Sequence, residues 1–342
     1  MPTSSKLGVA VLGHGSIAVA HLDALRALDP SGMQLRSVMG RLAEPTQAFA
    51  TEYGFARATT SLDEVLDDSA LDAVIVCSPS EAHADQTERA LRAGKHVLCE
   101  IPLATSLGDV DRLIAVADEV DRKLMVCHTQ HYFPALVEIR RHVAAGELHP
   151  HAVVSRFMFQ RRANINWMGR PRSWTDNLLW HHGCHAVDAA LWLLGATEVD
   201  VATQIALPGG DATLQVPMDL GIVMRTARDQ VITVAMSYNT HIALHDYLVI
   251  GEENTFLFND GELRDKDGVR MPRLGLDNTA EAITRQDAEF LAALAEQREP
   301  AISARSVRPA MAALQAAQDT LNAYLRQRAR DGVGLAHHPA LP

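Results

Sequence analysis

Short apolar runs alternate with amphipathic stretches through the first 127 residues. The runs fall at 7–12, 33–39, 73–77, 96–99 and 124–127, and between them apolar residues recur at helical spacing over 17–28, 81–93 and 106–120. A short run that is apolar throughout suits a strand buried on both faces, and a period near 3.6 marks the helix that covers it. The alternation predicts βαβ units and a parallel sheet. Gly54 and Gly94 stand where helices stop, and Ser61 with Glu64 has the spacing of a capping box.

After residue 127 the rhythm changes. A helix pattern over 134–145 stops at Gly146, and strand-like stretches follow at 152–159, 199–207, 218–224, 230–238, 247–251 and 255–258. These predict a largely antiparallel sheet. Two helices close the chain, near 279–297 and 306–328. The fold class is therefore α/β: an N-terminal doubly wound domain over 1–127, then an α+β domain over 128–342 with an open, mostly antiparallel sheet.

Composition narrows the function. The chain has 342 residues, 47% of them apolar and 21% charged, enough for two domains with sizeable cores. A net charge of −11 disfavours general binding to nucleic acid or to an anionic membrane. Cys77, Cys99, Cys127 and Cys184 form no C-x-x-C pair, which argues against a disulfide framework or a thiolate zinc site. The start, MPTSSKLG, enters a strand pattern at once, and no apolar run is long enough to span a bilayer. The expectation is a cytoplasmic protein.

The first strand runs into GHGSIA, a G-x-G-x-x-A turn that opens a helix. Gly13 allows the tight turn, Gly15 lets a pyrophosphate approach the backbone, and Ala18 lets helix and strand pack closely. His14, Ser16 and Ile17 complete the turn, whose helix N-terminus offers unpaired N–H groups to an anion. Where an NAD enzyme carries an acid at the end of the second strand, this chain reads Val38-Met39-Gly40-Arg41. Gly40 leaves room and Arg41 supplies positive charge, so NADP is expected over NAD. Cys77 ends the third apolar run and Ser78, Pro79 and His83 follow it; all four are expected at the cofactor cleft, where ligands gather at strand C-termini.

These stretches resemble the glucose–fructose oxidoreductase, inositol dehydrogenase and rhizopine catabolism family from end to end. The likeness lies in VLGHGSIAVAHL, CSPSEAH, GKHVLCEIP, HAVD followed by LWLLG, and the late DAEFLAALAEQREP. It implies NAD(P) dependence, a Rossmann domain, and a C-terminal sheet that forms homodimers or homotetramers. The chain departs from the family where Glu-Lys-Pro is usual: here Glu100, Ile101 and Pro102 stand, expected to shape the nicotinamide pocket. His181 replaces an Asp often found four residues before the family histidine, which corresponds to His185. EIPLA, Arg161-Arg162 and PRSWTDNLLWHHGCHAVD resemble, more narrowly, dehydrogenases that oxidise the cyclic hemiacetal of a dicarboxylate with NADP.

The chemistry of the residues fits such a substrate. Residues 148–175 hold five arginines and no Asp or Glu. Arg156 lies within a strand; Arg161, Arg162, Arg170 and Arg172 follow it and are the candidates to bind two carboxylates, since guanidinium forks take them in bidentate fashion. A solvated basic loop is the alternative. Trp174, with Trp167, can wall a flat ring or serve packing. In a helix, His181, His185 and Asp188 share one face. His185 is expected as the base that takes the hydroxyl proton, His181 as its partner or a substrate ligand, and Asp188 as polariser or helix pin. His182 is the candidate for packing or substrate contact. Zinc on the histidine pair lacks an obvious third ligand, Glu147 and Asp176 having no recommending spacing, so no metal is expected. A sugar or cyclitol dehydrogenase and a non-catalytic NADP-binding regulator are the alternative functions.

Overall fold

A computed structural model describes residues 6–28, 32–165, 169, 177–206, 217–273 and 277–330. By its contacts the chain divides into two compact units: Met1–Tyr132 with Thr279–Arg308, and Phe133–Asn278 with Pro309–Pro342. The first unit therefore takes back a late piece of chain, which periodicity does not signal.

In the first unit, β1 (Leu7–Leu12), β2 (Met33–Met39), β3 (Arg57–Thr59), β4 (Ala73–Val76), β5 (His96–Cys99) and β6 (Leu124–Val126) form a sheet of order β3-β2-β1-β4-β5-β6. All neighbours are parallel. The connecting helices are α1 (Ser16–Leu28), α2 (Ala43–Tyr53), α3 (Leu62–Leu66), α4 (His83–Arg92) and α5 (Leu107–Glu119). Strand order reverses between β1 and β4, the switch point at which open α/β sheets bind ligands. Ser61 caps α3 as its spacing predicts, accepting from the Glu64 N–H at 3.4 Å. The other half of the box is missing: the Glu64 carboxylate accepts from Thr59 and Arg57, and the Ser61 N–H donates to the Thr59 hydroxyl.

The second unit carries α6 (Pro134–Ala144), β7 (Pro150–Met158), α7 (Gly183–Leu194), β8 (Val199–Ala206), β9 (Asp219–Thr226), β10 (Val231–Ser237), β11 (Leu244–Gly251), β12 (Thr255–Asn259), β13 (Glu262–Asp265) and β14 (Gly268–Met271). The sheet order is β14-β13-β12-β11-β7-β10-β9-β8; β7 and β10 run parallel and the other neighbours antiparallel. Strands β13 and β14 have no counterpart in the sequence reading, because Glu262, Arg264, Asp265 and Arg270 break any apolar run. In β9 the side chains alternate: Leu220, Ile222 and Met224 are buried while Val223 is exposed. Helices α8 (Asp277–Ala295) and α9 (Ala304–Arg330) follow, and the division between units falls at Pro309 inside α9. No helix of the described residues is long and apolar enough to cross a membrane.

What ties the late segment to the first unit is partly backbone and partly charge. The Val126 N–H donates to the Ile302 carbonyl at 2.9 Å, and Arg305 and Arg308 pair with Asp118 and Asp111 on α5. The deepest tie is His21. It sits on the apolar face of α1 beside Ala18, Leu22 and Leu25, fully buried. Its Nδ1 lies 2.8 Å from the Asp287 carboxylate on α8, and its Nε2 lies 3.0 Å from Glu100 Oε1 at the end of β5. Only an imidazolium donates from both nitrogens. Burial alone would lower the pKa of His21; the charges and hydrogen bonds of Asp287 and Glu100 outweigh it and raise it to about 10.

A histidine with a raised folded-state pKa adds stability that is fully present below its unfolded value, about 6.5, and lost as pH rises toward the folded one. His21→Gln keeps one donor and no charge. Its destabilisation relative to the wild type is expected to be greatest near pH 6 and to shrink above pH 9, as read from urea unfolding at each pH. A deficit that stays constant over that interval would show that the ring is not charged.

Candidate active site

In the first unit the glycine turn has the geometry a dinucleotide requires. Gly13 takes φ +97°, and a Cβ there would come within 2.5 Å of the Cys77 carbonyl oxygen. Its N–H donates to the Met39 carbonyl at 2.8 Å, which fixes the turn over β2. Gly15 is exposed, with nothing within 4 Å of where a Cβ would stand. Ser16 and Ile17 begin α1, Ala18 is buried beneath it, and the first turn holds no acidic residue. An open backbone at a helix N-terminus without competing carboxylates fits a pyrophosphate.

The end of β2 differs from the sequence reading. The space above Gly40 is already filled: a Cβ would meet Thr46 Oγ1 at 2.2 Å and the His14 ring at 2.4 Å. Gly40 thus lets His14 and Thr46 close in, and the room expected there for a phosphate belongs to them. The His14 ring also packs on Phe49, centroids 5.6 Å apart. Arg41 is exposed just beyond, and no acid occupies the end of the strand.

Beyond β4, Cys77 is buried, and burial with the charges of Glu100 and Asp287 pushes its thiol well up, which makes it a poor nucleophile. The Ser78 hydroxyl donates to Gln86 at 2.6 Å. His83 is buried, its nitrogens 2.7 Å from the Pro102 carbonyl oxygen and 2.8 Å from that of Ser78. It ties the loop after β4, through Pro79, to the loop after β5. Ile101 is 4% exposed, and its N–H donates to the second oxygen of Glu100 at 3.2 Å. Within the His21 tie, the Glu100 side chain is 13% exposed and those of His21 and Asp287 are 0% exposed, so Glu100 alone reaches the surface. Burial would raise the Glu100 pKa; the hydrogen bond and charge of His21 outweigh it, and the carboxyl titrates below its usual range. His21, Glu100 and Cys127 place one ligand atom each within 4.8 Å of one another. Both nitrogens of His21 are already matched to carboxylates, and the Cys127 thiol is pushed well up by burial first, then by Glu100 and Asp287.

In the second unit the histidines do not sit on one continuous α-helix. Leu178–His182 form a π turn, capped by Asn177, whose side chain accepts from the N–H groups of Leu179 and Trp180. Helix α7 begins only at Gly183 and ends at Gly195, φ 62°. The extra residue in the turn shifts His181 against His185; their rings lie 6.3 Å apart at 77°. Both are half-buried, Asp188 is buried, and the Tyr247 hydroxyl donates to the His185 carbonyl at 3.4 Å. His182 is buried against Phe157, centroids 4.6 Å apart, with Phe159 and Tyr238 edge-on. Gly183 allows close packing, since a Cβ there would meet Leu314 and Met236 at 3.2 Å.

Of the arginines, Arg161 is buried with its guanidinium 5.3 Å over the Tyr238 ring and 3.2 Å from Asn164 Oδ1. Arg162 is exposed and donates to the carbonyls of Arg161 and Tyr238 at 3.0 and 2.9 Å. Arg156 is committed elsewhere, paired with Asp246. Glu147 pairs with Arg141 and His142. Arg170, Arg172, Trp174, Trp167 and Asp176 lie outside the described residues. His21 and Asp287 are the residues that sequence reasoning missed. Both stand inside stretches already singled out, VLGHGSIAVAHL and DAEFLAALAEQREP, and the usable signal was one polar side chain on an otherwise apolar helix face.

Comparison with known proteins agrees with this architecture. Residues 7–128 match the oxidoreductase family, NAD-binding Rossmann fold, and residues 134–272 match the C-terminal domain of bacterial oxidoreductases. The chain is 33% identical to the 4-carboxy-2-hydroxymuconate-6-semialdehyde dehydrogenase of a Sphingobium species, over 85% of this chain and 91% of that one. It is 31% identical to a scyllo-inositol 2-dehydrogenase (NADP(+)) of Bacillus subtilis over 43% of each. Among solved structures, a levoglucosan dehydrogenase in complex with NADH and levoglucosan superposes with a TM-score of 0.79 at 19% identity, covering 92% of this chain and 96% of that one. The fold, the glycine turn and a match spanning both units place the chain in the glucose–fructose oxidoreductase, inositol dehydrogenase and rhizopine catabolism family, as an NAD(P)-dependent oxidoreductase acting on CH–OH groups.

Proposed function

We propose that the protein oxidises the cyclic hemiacetal of 4-carboxy-2-hydroxymuconate-6-semialdehyde to 2-pyrone-4,6-dicarboxylate with NADP. The observation that carries this is the 33% identity over 85% of the chain to a relative bearing that activity's name. The departures from the family motif support it. Ile101 stands where a lysine is usual and is buried, so this chain brings no cation to the reacting hydroxyl from that position. A hemiacetal carbon is activated by its ring oxygen and has less need of one.

When bound, the dinucleotide accepts the hydride from the hemiacetal carbon. The protein's part is to hold the two carboxylates and remove the hydroxyl proton, so that the C–OH becomes the lactone C=O. Arg161, held by Tyr238 and Asn164, and Arg162, held by two carbonyls, are assigned the carboxylates. Arg170, Arg172 and Trp174 are assigned to the same task from sequence alone. His185 is assigned as the base and His181 as its partner; the half-exposure of both suits contact with a ligand, and the packing of His182 suits a supporting role. Asp188, buried on the same helix, is assigned to orient the histidines.

NADP is proposed over NAD because Arg41 is exposed at the end of β2 and no acid stands there to grip a ribose 2′-hydroxyl. Self-association through the second sheet is supported by Val223, Val231 and Ile250, exposed on a face that alternation leaves apolar. Four buried cysteine thiols and the lack of a disulfide among the described residues support a cytoplasmic setting.

NADPH formation with the ring-cleaved product of protocatechuate, beside a panel of sugars and inositols, tests the substrate. Turnover confined to the dicarboxylate is expected; preference for a sugar or cyclitol would replace the reading with its alternative, and turnover of nothing would favour a regulator. His185→Asn is expected to cut kcat about a hundredfold or more while leaving NADPH binding intact. Near-normal turnover would move the role to His181. Arg41→Asp is expected to reverse the NADP/NAD ratio of kcat/KM, and an unchanged ratio would remove Arg41 from cofactor choice.

A further inference from the structure

The Asp287–His21–Glu100 arrangement is more than a structural tie. One imidazolium between two carboxylates leaves the group with a net charge of −1. The charge has a direction, because Asp287 and His21 are sealed while the Glu100 side chain is 13% exposed. Its Oε2 is fixed by the Ile101 N–H at 3.2 Å and its Oε1 by His21 at 3.0 Å, so the carboxylate cannot swing away. No lysine follows it to neutralise the charge. The next ring, His83, is turned to the carbonyl oxygens of Pro102 and Ser78, and its influence on the Glu100 carboxyl ranks behind that of His21.

The position of this charge follows from the topology. Strand order reverses between β1 and β4, and a dinucleotide bound there puts one mononucleotide on each half of the sheet. The adenosine half belongs to β1, β2 and β3, where the ribose meets the end of β2. The nicotinamide half falls to β4, β5 and β6, and Glu100 is the residue directly after β5. The oxidised nicotinamide ring carries a formal positive charge and the reduced ring carries none. A rigid, ionised carboxylate in a partly desolvated place discriminates between them.

We propose that the Asp287–His21–Glu100 triad is a positioning device that presents a fixed negative charge to the nicotinamide end of the cofactor and makes the protein prefer the oxidised dinucleotide. This rests on the dehydrogenase reading, and it assigns His21 and Asp287 a part in which redox form of the cofactor binds. Asp287 anchors the ring, the ring anchors Glu100, and Glu100 meets the cofactor. The Cys127 thiol lies 3.9 Å from the His21 Nε2, and burial first, then the charges of Glu100 and Asp287, push its pKa up.

The test is equilibrium binding of NADP+ and NADPH to the full-length protein by calorimetry, with no substrate and no turnover. For Glu100→Gln, the ratio of Kd(NADP+) to Kd(NADPH) is expected to rise at least about fivefold, with NADPH binding little changed. Asp287→Asn, which also removes one negative charge, is expected to shift the ratio in the same direction and provides the second reading where Glu100→Gln folds poorly. Equal loss of both forms in both variants would reduce the triad to a structural role and overturn the proposal, as would unchanged affinities. A wild-type protein that binds neither form would instead overturn the dehydrogenase reading, so the two failures are distinguishable.

Discussion

A histidine ring clamped between two carboxylates is the constraint on which the nucleotide-binding unit depends. His21 reaches from the helix that follows the glycine turn to Glu100 after β5 and to Asp287 on a helix almost at the other end of the chain. Burying three ionisable groups is costly, and a buried ion pair on average contributes little net stability. Removing one partner is another matter, because it strands the others uncompensated in the interior. The clamp therefore acts less as a source of stability than as a constraint on geometry. It leaves one arrangement in which the three charges are satisfied, and in that arrangement Glu100 is ionised, oriented and next to Ile101.

That constraint gives meaning to the departure at Ile101. With an apolar, buried side chain at this position, the end of β5 carries a carboxylate without the cation that family members place beside it. The proposed function assigns acid–base chemistry to the second unit, where the π turn Leu178–His182 precedes α7 and the His181 and His185 rings stand at 77°. A substrate activated by its own ring oxygen and held by arginines suits this division. On the proposed reading, the fixed negative charge at Glu100 favours the oxidised cofactor and an imidazole of the second unit takes the proton.

Much of the fold was legible in the sequence. Five of the six strands of the first unit were predicted to within a residue, since buried strands are rich in apolar positions, while the three-residue β3 (Arg57–Thr59) is too short and polar to leave a run. Helix ends at Gly54, Gly94 and Gly146 were equally plain, since each glycine takes positive φ. Strands β13 and β14 were not legible: alternation vanishes where charged side chains project from both faces. The π turn was invisible for a different reason, since one inserted residue leaves the composition of a helix unchanged. His21 and Asp287 are 266 positions apart, and no local pattern reports a pairing of that separation. Gly40 shows the limit of reading a glycine as space, because His14 and Thr46 fill what its missing side chain vacates.

The state of the His21 ring decides the account most directly. Nitrogen-15 NMR of protein labelled at its 16 histidines, recorded near pH 8.5 with His21→Gln to assign the signal, reads it without reference to activity. The account predicts one imidazole protonated on both nitrogens at a pH where ordinary histidines are neutral, and that signal absent from the variant. A spectrum in which the His21 ring is neutral at that pH would contradict it.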